Sequence, residues 1–303
     1  KIVTNDFPQY PSVYRHFVKG IFEKVPELKI HIKFKNYKKL SDMRKYSLAN
    51  KTGSDHFEYV KSIVQFEDNQ IPCDIRLKGD RYVHFEDKKE WSFRVSVKDN
   101  ESIMGMRRFS LQKPRLRNYI YEWMYHELLK EEGLIALRYQ FVKLYVNGKD
   151  LGLYALEEHF EKTLVEYNRK REGPILRFNE SYYPPNYKED DFFNIPIFPF
   201  KGKDWTKGNN KILLESAISK LEGFRKGDLD ADEVFDIGRM AKFLAITDLM
   251  NTHHAIFWKS MRFYYNPINA KLEPVGFDGH YGATLGEKLI SYGFTTQNKG
   301  MSG

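Results

Sequence analysis

The sequence predicts an α+β protein with a mostly β first half and a mostly helical second half. Three observations carry this. Before residue 157, apolar and polar residues alternate in several short runs, the period-two signature of half-buried strands. After residue 160 the apolar spacing becomes helical and the runs lengthen. The chain is also long and apolar enough to fold: 303 residues, 41% hydrophobic, with 23 Phe, 20 Tyr and 4 Trp, which excludes disorder and sits between one large core and two. The boundary falls near 157–160, giving units at 1–158 and 159–303.

Taken in order, residues 29–34 alternate as a short strand and 36–51 read as a polar helix. Runs 60–67 and 71–78 flank Asp68-Asn69-Gln70 and read as a hairpin. Ile71, Cys73, Ile75 and Leu77 share one face of the second strand, and Phe93, Val95 and Val97 repeat the pattern in the next. A short strand is expected at 109–111. Ile120, Trp123, Met124 and Leu128 then fall at helical spacing, and Gly133 is a plausible stop. Runs 141–146 and 151–156 around Asn147-Gly148 form a second hairpin. Beyond it, helices are expected at 161–170, 211–222 and 237–250, the last capped by Asp236 and striped by Ile237, Met240, Ala241 and Leu244. The Pro-rich run 182–200 reads as an ordered loop, and 263–265 with 271–277 as a β pair.

Composition narrows the function classes. Lys and Arg number 49 against 41 Asp and Glu, a net of +8, but the signs are mixed, so the charge is a weak pointer to nucleic acid and none is expected as a partner. A single cysteine, Cys73, excludes an intrachain disulfide and a Cys-based zinc site. No apolar run approaches the roughly 20 residues of a membrane-spanning helix. Because the chain starts at Lys1, an upstream signal or anchor is expected to have been removed, and compartment stays open. The acidic run Asp228–Glu233 begins like a calcium loop, but Glu233 and Arg239 stand where Gly and the bidentate Glu are needed.

Three stretches carry a resemblance. The first is Ile75-Arg76-Leu77-Lys78-Gly79-Asp80 with Lys88-Lys89-Glu90-Trp91-Ser92-Phe93-Arg94. The second, and the longest, is Phe141-Val142-Lys143-Leu144-Tyr145-Val146-Asn147-Gly148-Lys149-Asp150-Leu151-Gly152-Leu153-Tyr154 followed by Glu157-Glu158-His159-Phe160-Glu161-Lys162. The third runs from Phe263-Tyr264-Tyr265-Asn266-Pro267 to Pro274-Val275-Gly276-Phe277-Asp278. In this order they resemble the spore-coat CotH-like atypical kinase family. The resemblance implies a bacterial protein with a two-lobed kinase-like fold, a β-rich N-lobe and a mainly helical C-lobe. It implies ATP and Mg²⁺ or Mn²⁺ between the lobes, and phosphorylation of a protein Ser/Thr hydroxyl, or of a glycan or small molecule. The family continues with further helices beyond the position of Gly303, so a C-terminal portion is expected to be missing.

Phosphoryl transfer needs cations on the phosphates, a carboxylate on the metal and a group that orients the acceptor. On residue type alone, Lys78-Gly79 and Lys89 are as well explained by a solvated turn. With the resemblance, Lys78, Lys89, Arg94 and Lys113 become candidate phosphate ligands, the last from an acid-free run that also holds Arg107, Arg108, Arg115 and Arg117. Glu122 takes the place of the helix glutamate that steadies a kinase lysine, and Glu158 falls in a hinge where backbone groups of 156–159 would read adenine. Asp278, before a glycine at the end of an apolar strand, is the candidate metal ligand, with His280 where the family has a second Asp. The sequence departs from the family at the catalytic segment. His254 stands at the usual Asp and Lys259 or Ser260 at the usual Asn. His254 or Asp248 is then the candidate base. The departure leaves two rivals: a nucleotide-binding pseudokinase, and a metal-dependent hydrolase built on His253, His254, Asp278 and His280.

Overall fold

A computed structural model of the chain describes residues 24–50, 56–79, 81–179 and 193–279. Its architecture is mixed α+β. Seven strands close into a barrel: β1 (Glu27–His31), β2 (Val60–Phe66), β3 (Asn69–Leu77), β4 (Phe93–Val97), β5 (Arg108–Gln112), β6 (Tyr139–Val146) and β7 (Lys149–Glu158). Their order is β1-β2-β3-β4-β5-β7-β6, and a parallel β1–β6 pairing shuts the ring. Closure leaves no unpaired edge, and the alternation read in the sequence points the apolar side chains inward. Ile71, Cys73, Ile75 and Leu77 of β3 and Phe93, Val95 and Val97 of β4 are all buried with Leu28, Ile30, Val64, Phe109 and Leu144. The first hairpin turns at Glu67-Asp68, one residue earlier than expected, because Phe66 pairs directly with Asn69.

Asn147 and Gly148 adopt φ of 49° and 79°, the left-handed pair of a tight two-residue hairpin turn. Asn147 also accepts the Ile32 N–H at 2.7 Å and donates to the Ile32 carbonyl at 3.0 Å, which ties β6 to the chain leaving β1. Helix α1 (Phe34–Asn50) crosses from β1 to β2 and buries Leu40 and Ser47.

Helix α2 (Tyr121–Glu131) lies between β5 and β6, and its face differs from the expected one. Glu122, Tyr125, His126 and Leu129 are buried, whereas Ile120, Trp123, Met124 and Leu128 are exposed. The helix turns a partly polar face inward because that face meets the residues around Asp278, described below.

The remainder contains α3 (Lys162–Tyr167), α4 (Gly208–Lys226), α5 (Ala231–Val234) and α6 (Ile237–Leu249). A four-stranded sheet stands among them, ordered β11-β10-β8-β9 from β8 (Ile175–Phe178), β9 (Ile197–Pro199), β10 (Arg262–Asn266) and β11 (Lys271–Pro274). The expected β pair at 263–265 and 271–277 is β10 and β11, and β8 and β9, too short to print a clear period in the sequence, extend it to four strands. Most of the Pro-rich run, 180–192, lies outside the described residues, as do Asp80 and His280. Helix α6 has the Asp236 cap, whose side chain accepts the Arg239 N–H, but it buries Phe243, Ile246 and Thr247 rather than the expected stripe. Among the described residues no helix is long and apolar enough to cross a membrane.

After β11 the chain runs beside the segment before β6. Val275 bridges Ile135, and the Gly276 N–H bonds the Ile135 carbonyl at 3.0 Å. This carries residues 276–279 onto α2 at a distance only glycine permits. A Cβ on Gly276 would come within 2.1 Å of Leu129, and one on Gly279 within 2.4 Å of Tyr125.

Barrel closure at Asn147 gives the first prediction. Asn147→Ala should lower the unfolding free energy by about 2 kcal/mol, the loss of two backbone-directed hydrogen bonds. Urea titration measures it, and a change below about 0.5 kcal/mol would show that closure does not depend on this side chain.

Candidate active site

Lys78 follows directly on β3 and is buried. Its ammonium donates to Glu157 Oε2 at 2.8 Å and to Gln112 Oε1 at 2.9 Å, and Gln112 donates to the same Glu157 oxygen at 2.9 Å. Gln112 and Glu157 come from the neighbouring strands β5 and β7, and Lys78 from the end of β3, two strands from β5. Burial, opposed by Glu157 and reinforced by Arg117 and Arg94, lowers the Lys78 pKa to about 8. Burial alone would raise Glu157, but Lys78, Arg117 and Arg94 outweigh it and bring that carboxyl to about 2. The pair is therefore ionised near neutral pH.

Strand alternation separates the two glutamates. Glu158 points to the other side, where Arg138 Nε donates to it at 2.9 Å and Arg138 Nη2 makes a second, closer bond. Glu158 is thus tied to an arginine, and its neighbour Glu157 holds Lys78.

Arg117 links this pair to a second cluster. It ends a short 3₁₀ turn, Pro114–Arg117, that follows β5, with proline at its first position. Asn118 and Tyr119 come next with φ of 53° and 62°. Two successive non-glycine residues in the left-handed region carry strain of about 1 kcal/mol or more each. The turn aims the Arg117 guanidinium at Asp278 Oδ1, with which it forms a close ion pair.

Asp278 also has left-handed backbone, φ 55°. Its second oxygen lies 2.5 Å from His254 Nδ1 and accepts the Ser260 hydroxyl at 3.3 Å; Ser260 Oγ is 3.1 Å from the same His254 nitrogen. His254 sits in the turn His253–Ile256, entered through Asn251 at φ 53°. The next residue, Gly279, donates its N–H to Glu122 Oε1 at 3.1 Å, and His126 Nε2 lies 3.4 Å from that oxygen. Asn118, Tyr119, Asn251 and Asp278 thus hold left-handed backbone around the two clusters.

The sequence-derived candidates fall into three groups. Lys78, Arg94, Glu122, His254 and Asp278 belong to or adjoin this arrangement. Arg94 on β4 is half-buried, its Nε has no hydrogen-bond partner, and burial lowers its pKa to about 10 against the pull of Glu157. Glu122 meets the Asp278–Gly279 peptide, while Glu157 is the partner of Lys78. Elsewhere, Lys113 donates to the Leu151 carbonyl at 2.6 Å, pairs with Glu90 at 3.0 Å and lies over the Tyr154 ring. Lys89 is exposed, with its N–H bound to Asp87. Asp248 is half-buried in the last turn of α6, and its carbonyl accepts the Asn251 N–H. His280 lies outside the described residues.

Ser260, one of the two residues at the usual Asn, meets His254 and Asp278, whereas Glu157 and Gln112 are the partners that sequence reasoning did not assign. His84 is a further one. Its imidazole is 3.2 Å from Ser92 Oγ, and burial with the charges of Lys78 and Arg117 lowers its pKa to about 3. Gly79, at φ 115°, lies so close to His84 that any Cβ would clash at 2.4 Å, so the backbone after Lys78 is packed down onto that ring. Only Glu157 had a usable signal, a pair of acids ending an otherwise apolar strand.

A family model described as CotH kinase protein matches residues 75–281. The chain belongs to this family. Every member of the two clusters lies within the matched span. A comparison with curated proteins gives no match. Membership in the CotH kinase family points to a kinase-like function and, in general, to nucleotide and divalent metal.

The residues fit the anionic half of that pair: Lys78, Arg94 and Arg117 gather around the one carboxylate Glu157, and Arg94 keeps an unsatisfied buried donor. For metal the fit is narrower. Among the described residues no group of three or more His, Cys, Asp or Glu is arranged to hold an ion. Mg²⁺ needs only one or two carboxylates beside phosphate oxygens, and Asp278 Oδ1, now facing Arg117, is a hard oxygen donor of that kind.

Removing Glu157 should expose the cost of the buried ammonium. Glu157→Gln should destabilise the fold by about 3–5 kcal/mol, and Lys78→Met in the same chain should recover much of that. Urea titration of the double-mutant cycle checks it. The pH dependence has two signs. Glu157 contributes stability that is complete above pH 4.5 and lost as pH falls toward 2. Lys78 binds fewer protons folded than unfolded between pH 8 and 10.5, so its contribution rises with pH there, and Lys78→Met should flatten that rise.

Proposed function

We propose that this member of the CotH kinase family is a phosphotransferase that moves the γ-phosphate of ATP to a Ser/Thr hydroxyl of a protein, with a glycan or small-molecule hydroxyl as the other acceptor class. In this reading residues 1–158 act as an N-lobe and 159–303 as a C-lobe of a kinase-like pair. The observation that carries it is Asp278, held between Arg117 and His254 and linked through Arg117 to the Lys78–Glu157 pair.

ATP supplies the transferable group when bound, and Mg²⁺ or Mn²⁺ on Asp278 neutralises charge on it. The chain's own residues do the rest. Lys78 and Arg94 attract the phosphate oxygens, with Glu157 and Gln112 fixing the ammonium in place. Arg117 exchanges its carboxylate contact for phosphate, so its charge stays in the site whichever partner it holds. Asp278 Oδ2 lies against Nδ1 of His254 and orients the ring, which leaves Nε2 directed away from that contact. His254 then accepts the acceptor hydroxyl's proton at Nε2, the nitrogen opposite that contact. Asp248 is the second candidate for this role.

The Arg117–Asp278 ion pair also favours a second reading, a nucleotide-binding pseudokinase in which the arginine permanently neutralises the metal carboxylate.

One experiment separates them: thermal shift with ATP and Mg²⁺ or Mn²⁺ beside a γ-phosphate transfer assay that includes autophosphorylation. The kinase reading predicts stabilisation and transfer, with His254→Ala lowering kcat by about 10²–10⁴-fold and Asp278→Asn abolishing transfer. Stabilisation without transfer establishes the pseudokinase. No stabilisation by any nucleotide contradicts both.

A further inference from the structure

A cavity of about 420 Å³ lies away from these clusters, between α3, β8 and the turn Gly202–Trp205. Its size is that of a small-ligand site. Phe160, Phe200 and Trp205 contribute aromatic wall, and Glu161 and Thr163 line it as well. Phe160 and Phe200 pack at 4.5 Å between ring centroids.

The polar atoms of the wall are incompletely satisfied. Glu161 has a side chain only 8% exposed, and its Oε2 lies 3.3 Å from the Lys201 ammonium. Its other oxygen, Oε1, is buried with no hydrogen-bond partner, and so is the hydroxyl of Thr163. Glu161 immediately precedes α3 in extended conformation, yet its side chain does not cap that helix. A buried carboxylate oxygen without a donor is costly, and capping does not account for this one. Two further acids of the wall are paired: Lys162 bridges Glu166 and Glu172 at 3.8 and 2.8 Å.

We propose that this cavity binds a guanidinium group on a short apolar stem, with Glu161 Oε1 and Thr163 Oγ1 as its acceptors and the aromatic wall as its stacking surface. A guanidinium is planar, carries several donors in a fixed fork and stacks on aromatic faces, which matches two acceptors beside flat rings. The same rings already accept such groups from elsewhere in the chain: Arg177 lies 5.0 Å from the Phe200 centroid, and Arg262 lies 5.5 and 5.6 Å from Phe200 and Phe160. A ring contact leads from the cavity toward the candidate active site. Phe160 meets Phe277 edge-on at 5.1 Å, one residue before Asp278.

The guanidinium belongs either to a small molecule or to an arginine side chain, and the test has an arm for each. Isothermal titration of the full chain uses agmatine, the blocked tripeptide Ala-Arg-Ala, and butylurea as a neutral mimic. Saturable 1:1 binding of agmatine or the tripeptide, without binding of butylurea, is expected. The tripeptide binding at least as tightly as agmatine identifies an arginine side chain, and agmatine alone a small guanidine. Glu161→Gln and, separately, Thr163→Val should each weaken binding, the first by at least tenfold. Thermal melts confirm that each variant is folded. Absence of saturable binding by both guanidinium probes overturns the proposal, as does agmatine affinity unchanged in folded Glu161→Gln and Thr163→Val.

Discussion

Lys78 and Glu157 meet in the barrel wall almost without access to water, and either charge left alone there would cost several kcal/mol. Gln112 closes the arrangement by bonding both partners. Such a pair does not have to stabilise the fold over an apolar substitute. Its effect is to fix an ammonium at one place, at the end of β3, with a depressed pKa and cations as further neighbours. The sheet has to curl for the pair to form, because the end of β3, β5 and β7 each supply one member and β4 lies between the first two.

The second cluster depends on close approach rather than on ladders. Residues 276–279 lie on α2 because two glycines admit Leu129 and Tyr125, and the Glu122 carboxylate then takes the Gly279 N–H. Asp278 is left in a strained left-handed conformation with both oxygens engaged. Arg117 joins the two halves. It presses on the titration of Lys78, His84, Glu122 and Glu157 while bonding Asp278. One guanidinium thus connects the wall of the barrel to the end of the second sheet.

The sequence was most legible where period and burial coincide. The alternation of 71–77 and 93–97 became barrel wall, and Asn147-Gly148 became a tight turn. It was least legible where function reverses the pattern. Helix α2 looks amphipathic with Trp123 and Leu128 inward, but Glu122 and His126 take that place because a polar partner waits there. The short strands β8 and β9 left no readable period, whereas β10 and β11 were legible as a pair. Asp278, His254 and Lys78 could be nominated from the family resemblance. So could Ser260, but not Glu157 and Gln112, since their roles arise only when distant strands are brought together.

We propose Lys78 as a pre-placed phosphate ligand whose charge is set by Glu157 and its cationic neighbours. The direct measurement is an NMR titration of the Lys78 side chain, with and without ATP. The account predicts a pKa of about 8 in the free protein, moving upward when the nucleotide's negative charge arrives. A free value near 10.5, that of an ordinary lysine, or a titration that saturating ATP leaves unmoved would contradict it.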